Sequence, residues 1–141
     1  MVLWTRRSLA TAAVALMSQA ARRTQAAPDA THAPFVAHAA AMKQQAIDAG
    51  DQAYGAVVVR GREIAGFGPS RVVANKDATA HAEREAIRDA QRRLGRNDLS
   101  DCVMYSTSRP CSDCEQAAAE ARLSRLYVGP DAVDAGAPRR R

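Results

Sequence analysis

Four residues of this 141-residue chain could carry out chemistry together, namely His81, Glu83, Cys111 and Cys114. Zinc binds imidazole nitrogen and thiolate sulfur, and a catalytic zinc takes three protein ligands and keeps one position open for water. His81, Cys111 and Cys114 supply such a set. Glu83 follows His81 by two residues, so its carboxylate can reach that water without coordinating the ion. The pattern predicts a zinc site that activates water for hydrolysis.

All three predicted ligands lie near the start of a predicted helix. Thr79 is the expected N-cap of a helix with alanines along one face, and Gly95 ends that helix. Pro110 can occupy a first helical turn, so the Ala-rich segment 111–122 is a second predicted helix. The positive end of a helix is expected to lower the pKa of a thiol and to favour the thiolate. The Cys-x-x-Cys spacing brings both sulfurs to one side of the first turn.

The remaining patterns predict an α/β domain. Apolar residues at helical spacing over 35–49 indicate a first helix, which Gly50 ends. Segments 54–59 and 64–68 are typical of a β-hairpin, and further strands are predicted at 102–107 and 126–128. The order αββαβαβ predicts a three-layer α/β/α sandwich with a mixed sheet.

The predicted domain covers 35–130, after a polar linker at 28–34. No strand pattern follows Val128, so we expect a sheet that is short at the C-terminus and a flexible tail over 131–141. Cys102, at a strand start, is expected to be a small buried hydrophobe rather than a ligand.

The positive charge is concentrated outside this domain. The formal net charge is +5, but residues 1–27 hold four of the 20 basic residues and 139–141 hold three more. The segment 28–138 therefore has 13 basic against 15 acidic residues. A nucleic-acid-binding domain normally carries a basic stripe. We therefore expect a small molecule, and not a nucleic acid, as the partner.

Residues 1–27 have the layout of a signal peptide. A segment at 5–9 that contains an Arg-Arg pair precedes a short apolar stretch at 9–21. Small residues at 24–27 offer a cleavage position. The Thr-Arg-Arg-Ser-Leu order is that of a twin-arginine signal. These features predict export to the periplasm, with no membrane association after cleavage. A mature amphipathic helix, a mitochondrial presequence and a cytoplasmic protein remain alternatives.

The His-Ala-Glu and Pro-Cys-x-x-Cys motifs resemble those of the cytidine deaminase-like superfamily of zinc deaminases. The resemblance runs from about 54 to 129 and is nearest the guanine deaminase and tRNA adenosine deaminase branch. It implies that zinc activates a water while Glu83 carries protons to the ring and to the leaving amine. It also implies a purine-type base, nucleoside or related heterocycle as substrate, ammonia as product and a homodimer or higher homo-oligomer.

The resemblance places Gly55, Ala56 and the loop from Ser70 at the substrate pocket. Relatives of the purine-acting branch commonly carry an Asn at the place of Ser70, and Ser cannot make the paired amide contact. Relatives usually have Glu or Ser before Pro-Cys, where this chain has Arg109. A cation at the mouth of the site could bind an anionic or carbonyl-bearing substrate.

Several other functions remain open on the sequence alone. A cytidine or other pyrimidine deaminase and a tRNA adenosine deaminase would use the same four residues. The pair Cys111 and Cys114 could instead form a disulfide or a redox-active dithiol in an exported protein. A zinc-stabilised module without catalytic activity would use the ligands but not Glu83.

Overall fold

The structure, a computed structural model, describes residues 31–141. The predicted signal peptide at 1–27 lies outside the described residues, as do residues 28–30 of the predicted linker. Within the described part of the chain, no helix combines the length and the apolar character that a membrane span requires.

Three helices and five strands make up the described chain. The helices are α1 (Ala33–Asp48), α2 (Ala82–Leu94) and α3 (Ser112–Glu120). The strands are β1 (Gly55–Arg60), β2 (Glu63–Pro69), β3 (Cys102–Ser106), β4 (Arg125–Val128) and β5 (Val133–Gly136).

One mixed sheet holds all five strands in the order β2-β1-β3-β4-β5. Strand β1 pairs antiparallel with both β2 and β3, β3 and β4 are parallel, and β4 and β5 are antiparallel. The parallel pair is joined through α3, as a crossover between parallel strands requires. The predicted α/β/α sandwich with a mixed sheet is confirmed.

Each face of the sheet has its own apolar core because side chains alternate along the strands. Val58 and Met104 face α2 and α3, where they meet a set of small alanines such as Ala86. Val57 and Tyr105 face the opposite side and pack against α1. The site residues of α2 and α3 therefore share one face of the sheet.

Glycines in the hairpin let the helices approach the sheet closely. A Cβ at Gly68 would lie 2.0 Å from the carbonyl oxygen of Ala82, and one at Gly55 would lie 2.3 Å from that of Ala39. These separations are far below van der Waals contact, so only glycine fits under α2 and α1 here. Gly68 in this way fixes the height of the first turn of α2 above the sheet.

Two expectations about helix and strand positions are wrong. The N-cap of α2 is His81, and Thr79 instead donates its hydroxyl to Asp77 in the preceding loop. The chain after Val128 also does not remain irregular, since β5 pairs with β4 across a turn in which Ala132 has a positive φ of 46°. Strand β5 therefore covers the edge of β4.

Candidate functional site

The three predicted zinc ligands converge at the starts of α2 and α3. His81 and Cys111 are the N-caps of the two helices, and Cys114 lies in the first turn of α3. His81 Nδ1 lies 3.6 Å from Cys111 Sγ and 3.4 Å from Cys114 Sγ. The potential ligand atoms of the three residues all lie within 4.8 Å of one another. The structure thus brings together residues that are 30 or more positions apart in sequence.

These distances fit a tetrahedral zinc ion. With Zn–S bonds of about 2.3 Å and a Zn–N bond of about 2.0–2.1 Å, a tetrahedral angle separates nitrogen and sulfur by about 3.6 Å. Both nitrogen–sulfur distances at the cluster agree with this value to within 0.2 Å. His81, Cys111 and Cys114 can therefore hold zinc through three protein ligands.

The two thiols lie in different environments. Cys111 is exposed, and its sulfur accepts a hydrogen bond from the backbone N–H of Cys114 at 3.4 Å. Cys114 is buried, and this desolvation, together with the nearby charges of Glu83 and Cys111, raises the pKa of its thiol. The expectation that the helix N-terminus lowers the thiol pKa is therefore wrong for Cys114. A divalent cation at the cluster would reverse the balance and favour the thiolate.

Glu83 lies in the first turn of α2, two residues after His81, and only 5% of it is exposed. Its Oε1 lies 3.0 Å from the hydroxyl of Ser106, at the end of β3. The hydroxyl of Ser106 also lies 2.7 Å from the carbonyl oxygen of Ser108. A carboxylate held in this way beside the metal ligands can accept and return protons without leaving its place.

A cavity of about 730 Å³ opens beside this cluster. Glu83, His81 and Cys111 form part of its wall, so a molecule inside it would contact both the metal site and the carboxylate. The lining residues are Gln52, Ala53, Tyr54, His81, Glu83, Ser108, Arg109 and Cys111. The volume suits a single heterocyclic base or a nucleoside.

Of the four predicted substrate residues, only Arg109 lies in the cavity wall. Gly55 and Ala56 are buried beneath the helices and are not among the lining residues. Ser70 is also buried, and its hydroxyl donates to Asp51 at 3.0 Å. These positions shape the fold around the cavity and do not face it, so any effect on the substrate would be indirect.

Asp51 is a residue whose role the sequence analysis missed. Its carboxylate accepts hydrogen bonds from the backbone N–H groups of Gln52, Val73 and Ala74 as well as from Ser70. Partial burial opposes the charge, but these four hydrogen bonds outweigh it and lower the pKa of Asp51. The carboxylate ties the loop that contains Gln52 to the loop at 70–74. The sequence feature that could have indicated this role is an Asp directly after Gly50, the residue expected to end the first helix.

Cys102, the third cysteine, stays outside the site, as predicted. It is fully buried in the core beneath α2 and α3, and burial raises the pKa of its thiol to about 11. Its side chain packs in the apolar core, and its thiol donates to the carboxylate of Asp101 at 3.4 Å.

The sequence places this fold and site in a known family. Residues 29–130 match the family described as the cytidine and deoxycytidylate deaminase zinc-binding region. The chain belongs to this family. The match includes the His-Ala-Glu and Pro-Cys-x-x-Cys motifs, so the zinc-binding region of the family and the cluster in the structure coincide.

Curated relatives of this deaminase-family chain include two kinds of purine deaminase. It is 34% identical over 105 residues to guanine deaminase of Bacillus subtilis, which covers 74% of this chain and 67% of the relative. It is 36% identical over 83 residues to tRNA-specific adenosine deaminase of Aquifex aeolicus, covering 59% of this chain and 55% of that protein. The chain thus spans little more than half of the Aquifex aeolicus relative.

Solved structures of deaminases also resemble this chain. The crystal structure of Bacillus subtilis guanine deaminase superposes with a TM-score of 0.67 at 34% identity, over 70% of this chain and 63% of that one. A structure from a study of tRNA:A34 deaminases gives a TM-score of 0.66 at 33% identity, over 68% and 70% of the two chains. Both confirm the cytidine deaminase-like fold.

Proposed function

We propose that the protein is a zinc-dependent hydrolytic deaminase that removes an exocyclic amino group from a purine-type base or nucleoside. The observation that carries the proposal is the shared cavity wall, in which His81 and Cys111 of the zinc site lie beside the Glu83 carboxylate. A zinc-stabilised module would need the ligands but no buried carboxylate facing the same cavity. Membership of a deaminase family supports the catalytic interpretation.

The reaction exchanges the amino group of a ring carbon for oxygen. Water adds to the carbon to form a C–O bond, the C–N bond breaks, and ammonia leaves while the ring carbon becomes a carbonyl. Zinc held by His81, Cys111 and Cys114 would supply a Lewis acid that makes water nucleophilic near neutral pH. Glu83 takes a proton from the attacking water, delivers one to the adjacent ring nitrogen, and carries one to the departing amine.

A purine-type substrate is supported by the relatives. The names of the Bacillus subtilis and Aquifex aeolicus proteins describe deaminases of guanine and of adenosine in tRNA. A free base or nucleoside, rather than tRNA, is supported by the charge of the body, which has 13 basic against 15 acidic residues over 28–138. Arg88, Arg92 and Arg96, on α2 and just after it, are also ion-paired with neighbouring carboxylates.

Arg109 is the cation available to the substrate. It is exposed in the cavity wall, and no carboxylate among the described residues forms an ion pair with it. A guanidinium group at this place can donate to a ring carbonyl or to an anionic group. We therefore include Arg109 in the proposed site as a contact for a carbonyl such as that at C6 of guanine.

Export through a twin-arginine signal and assembly into a homo-oligomer are further proposals. Export is supported by the Arg-Arg pair followed by the apolar run in 1–27. N-terminal sequencing of the secreted protein would identify a start near residue 27 if export occurs, and an intact Met1 start in the cytoplasm would exclude it.

The substrate class is tested by measuring ammonia release from zinc-loaded full-length protein. The panel contains guanine, adenine, 2,6-diaminopurine, guanosine, cytosine, cytidine and a tRNA anticodon stem-loop. We expect the highest kcat/KM for a purine base or nucleoside. Activity confined to cytosine and cytidine, or to the RNA, would exclude the proposed substrate class.

The same assay tests Arg109. For Arg109→Gln we expect KM for guanine to rise about 10-fold, because a hydrogen bond to a charged donor is lost. KM for 2,6-diaminopurine, which lacks the carbonyl, should stay unchanged. Arg62→Gln, in the exposed turn between β1 and β2, is the matched control. An equal rise in KM for both purines would exclude a carbonyl contact.

A further inference from the structure

Ser106 is a buried polar residue that none of the predicted roles uses. It ends β3, and only 4% of it is exposed. Its hydroxyl lies 3.0 Å from Glu83 Oε1 and 2.7 Å from the carbonyl oxygen of Ser108. A hydroxyl carries one proton, so it can donate to only one of these acceptors at a time. Both acceptors are within hydrogen-bond distance in the same conformation.

The Ser106 hydroxyl connects the two halves of the site. Glu83 and the zinc ligand His81 belong to α2, whereas Ser108 leads through Arg109 and Pro110 to the zinc ligand Cys111. Apolar side chains such as Ile87 and Ala118 pack together beneath α2 and α3, beside the contacts of His81 with the two cysteines. Those contacts fix the distance between the helices, but they cannot orient a carboxylate.

We propose that Ser106 is a positioning residue, whose hydroxyl sets the orientation of the Glu83 carboxylate relative to the metal ligands. The carboxylate of a glutamate rotates freely about its last bond, and a buried hydrogen bond to one oxygen stops that rotation. With Oε1 held by Ser106, the other oxygen is the one free to serve the reacting water and ring nitrogen. The inference rests on the proposed deaminase function.

Kinetics of Ser106→Ala on the best substrate of the panel test the proposal. We expect kcat to fall about 10- to 100-fold, the range seen when a group that orients a catalytic side chain is removed. KM should stay within twofold of the wild-type value. The variant should also keep one zinc per chain. A kcat within twofold of wild type would overturn the proposal.

Two further variants separate positioning from general destabilisation. Ser106→Thr keeps the hydroxyl on the face of β3 that is turned towards Glu83. We expect it to recover most of the lost kcat. Ser124→Ala is the matched control, since Ser124 also donates its hydroxyl to a backbone carbonyl, that of Cys102 at the other end of β3. An equal loss in Ser124→Ala, or no recovery in Ser106→Thr, would contradict positioning.

A stability cycle tests the contact without reference to activity. The cycle compares the urea unfolding midpoints of zinc-loaded Ser106→Ala, Glu83→Ala and the double variant. The midpoint of the double variant should fall by less than the sum of the two single-variant decreases. Additive losses would mean that the two side chains do not interact. If the wild-type protein released no ammonia from any panel member, the proposed function would fail. The stability cycle would still show whether Ser106 and Glu83 interact.

Discussion

Asp89 is a single carboxylate that joins helix α2 to strand β2. Its Oδ2 accepts the backbone N–H of Phe67 at 2.9 Å and pairs with Arg93, and its Oδ1 pairs with Arg92. Partial burial opposes the charge, but these three partners outweigh it and lower the pKa of Asp89 below the usual 3.8. Strand β2 is held beneath α2 in part by this charge.

The stabilisation by Asp89 should depend on pH. Because the pKa is lower in the folded state, the contribution is complete above the unfolded-state pKa and is lost as the pH falls through the folded-state pKa. Asp89→Asn should therefore lower the unfolding free energy at neutral pH, and the difference from wild type should shrink below about pH 4. Urea unfolding across pH measures this.

Asp131→Asn provides the control for the loss of one negative charge. Asp131 is exposed, and within residues 31–141 no hydrogen bond or ion pair of its side chain is found. A deficit of Asp89→Asn that stayed constant from neutral pH to pH 2 would show that its charge has no role.

At the level of the elements, the hairpin β1–β2 and helix α2 fit together through small residues. Gly68 lies under the first turn of α2, where a Cβ would also be 2.5 Å from the backbone nitrogen of Ala86. We expect Gly68→Ala to lower the unfolding free energy by about 3 kcal/mol, because the helix that carries His81 and Glu83 must shift away from the sheet. Urea unfolding gives the magnitude.

Gly61→Ala separates this steric effect from the general cost of losing a glycine. Gly61 lies in the hairpin turn with φ of 61° and no atom within 4 Å of the added Cβ. Gly61→Ala should lower the unfolding free energy by only about 1 kcal/mol, through backbone strain alone. Equal losses in the two variants would show that α2 does not rest on Gly68.

The sequence was sufficient to predict the elements whose patterns are local. Helix α2 has alanines at helical spacing, strand β1 is a β-branched run, and the zinc ligands have a distinctive spacing. Strand β5 could not be predicted in this way because Val133 is its single β-branched residue and its pairing follows from a turn at Ala132. Backbone hydrogen bonds to β4 and an ion pair between Arg125 and Asp134 hold it in place.

The cavity wall was less predictable than the metal ligands. The direction of the Ser70 side chain depends on Asp51, which is 19 positions away in sequence. Gln52 and Tyr54, which line the cavity, belong to the loop that the same carboxylate ties to the one at 70–74. Such contacts follow from tertiary packing, and no local pattern in the sequence encodes them.

For the whole molecule, zinc should act as a fold-stabilising ligand. His81 belongs to α2 and both cysteines to α3, so the complete ligand set exists only when the two helices are packed together. A ligand that binds the folded state at about 100 times its Kd contributes about 2.7 kcal/mol. For a domain of this size we expect Tm to rise by about 10 °C on zinc addition to chelator-treated protein.

Variants of two histidines test this linkage by differential scanning calorimetry. His81→Ala should abolish most of the zinc-dependent rise in Tm, whereas His38→Ala, on the exposed side of α1, should keep it. A rise of the same size in both variants would show that zinc binds elsewhere on the chain.

The most direct test of a zinc-dependent deaminase is ammonia release by Glu83→Gln beside a measurement of bound zinc. Gln keeps the shape and an oxygen for Ser106 but cannot carry protons, so we expect kcat to fall about 10²- to 10⁴-fold with one zinc per chain retained. Glu85→Gln is the matched control, because Glu85 is on the same helix and pairs with Arg88 outside the cavity wall. Undiminished ammonia release by zinc-loaded Glu83→Gln would contradict the central role of this carboxylate.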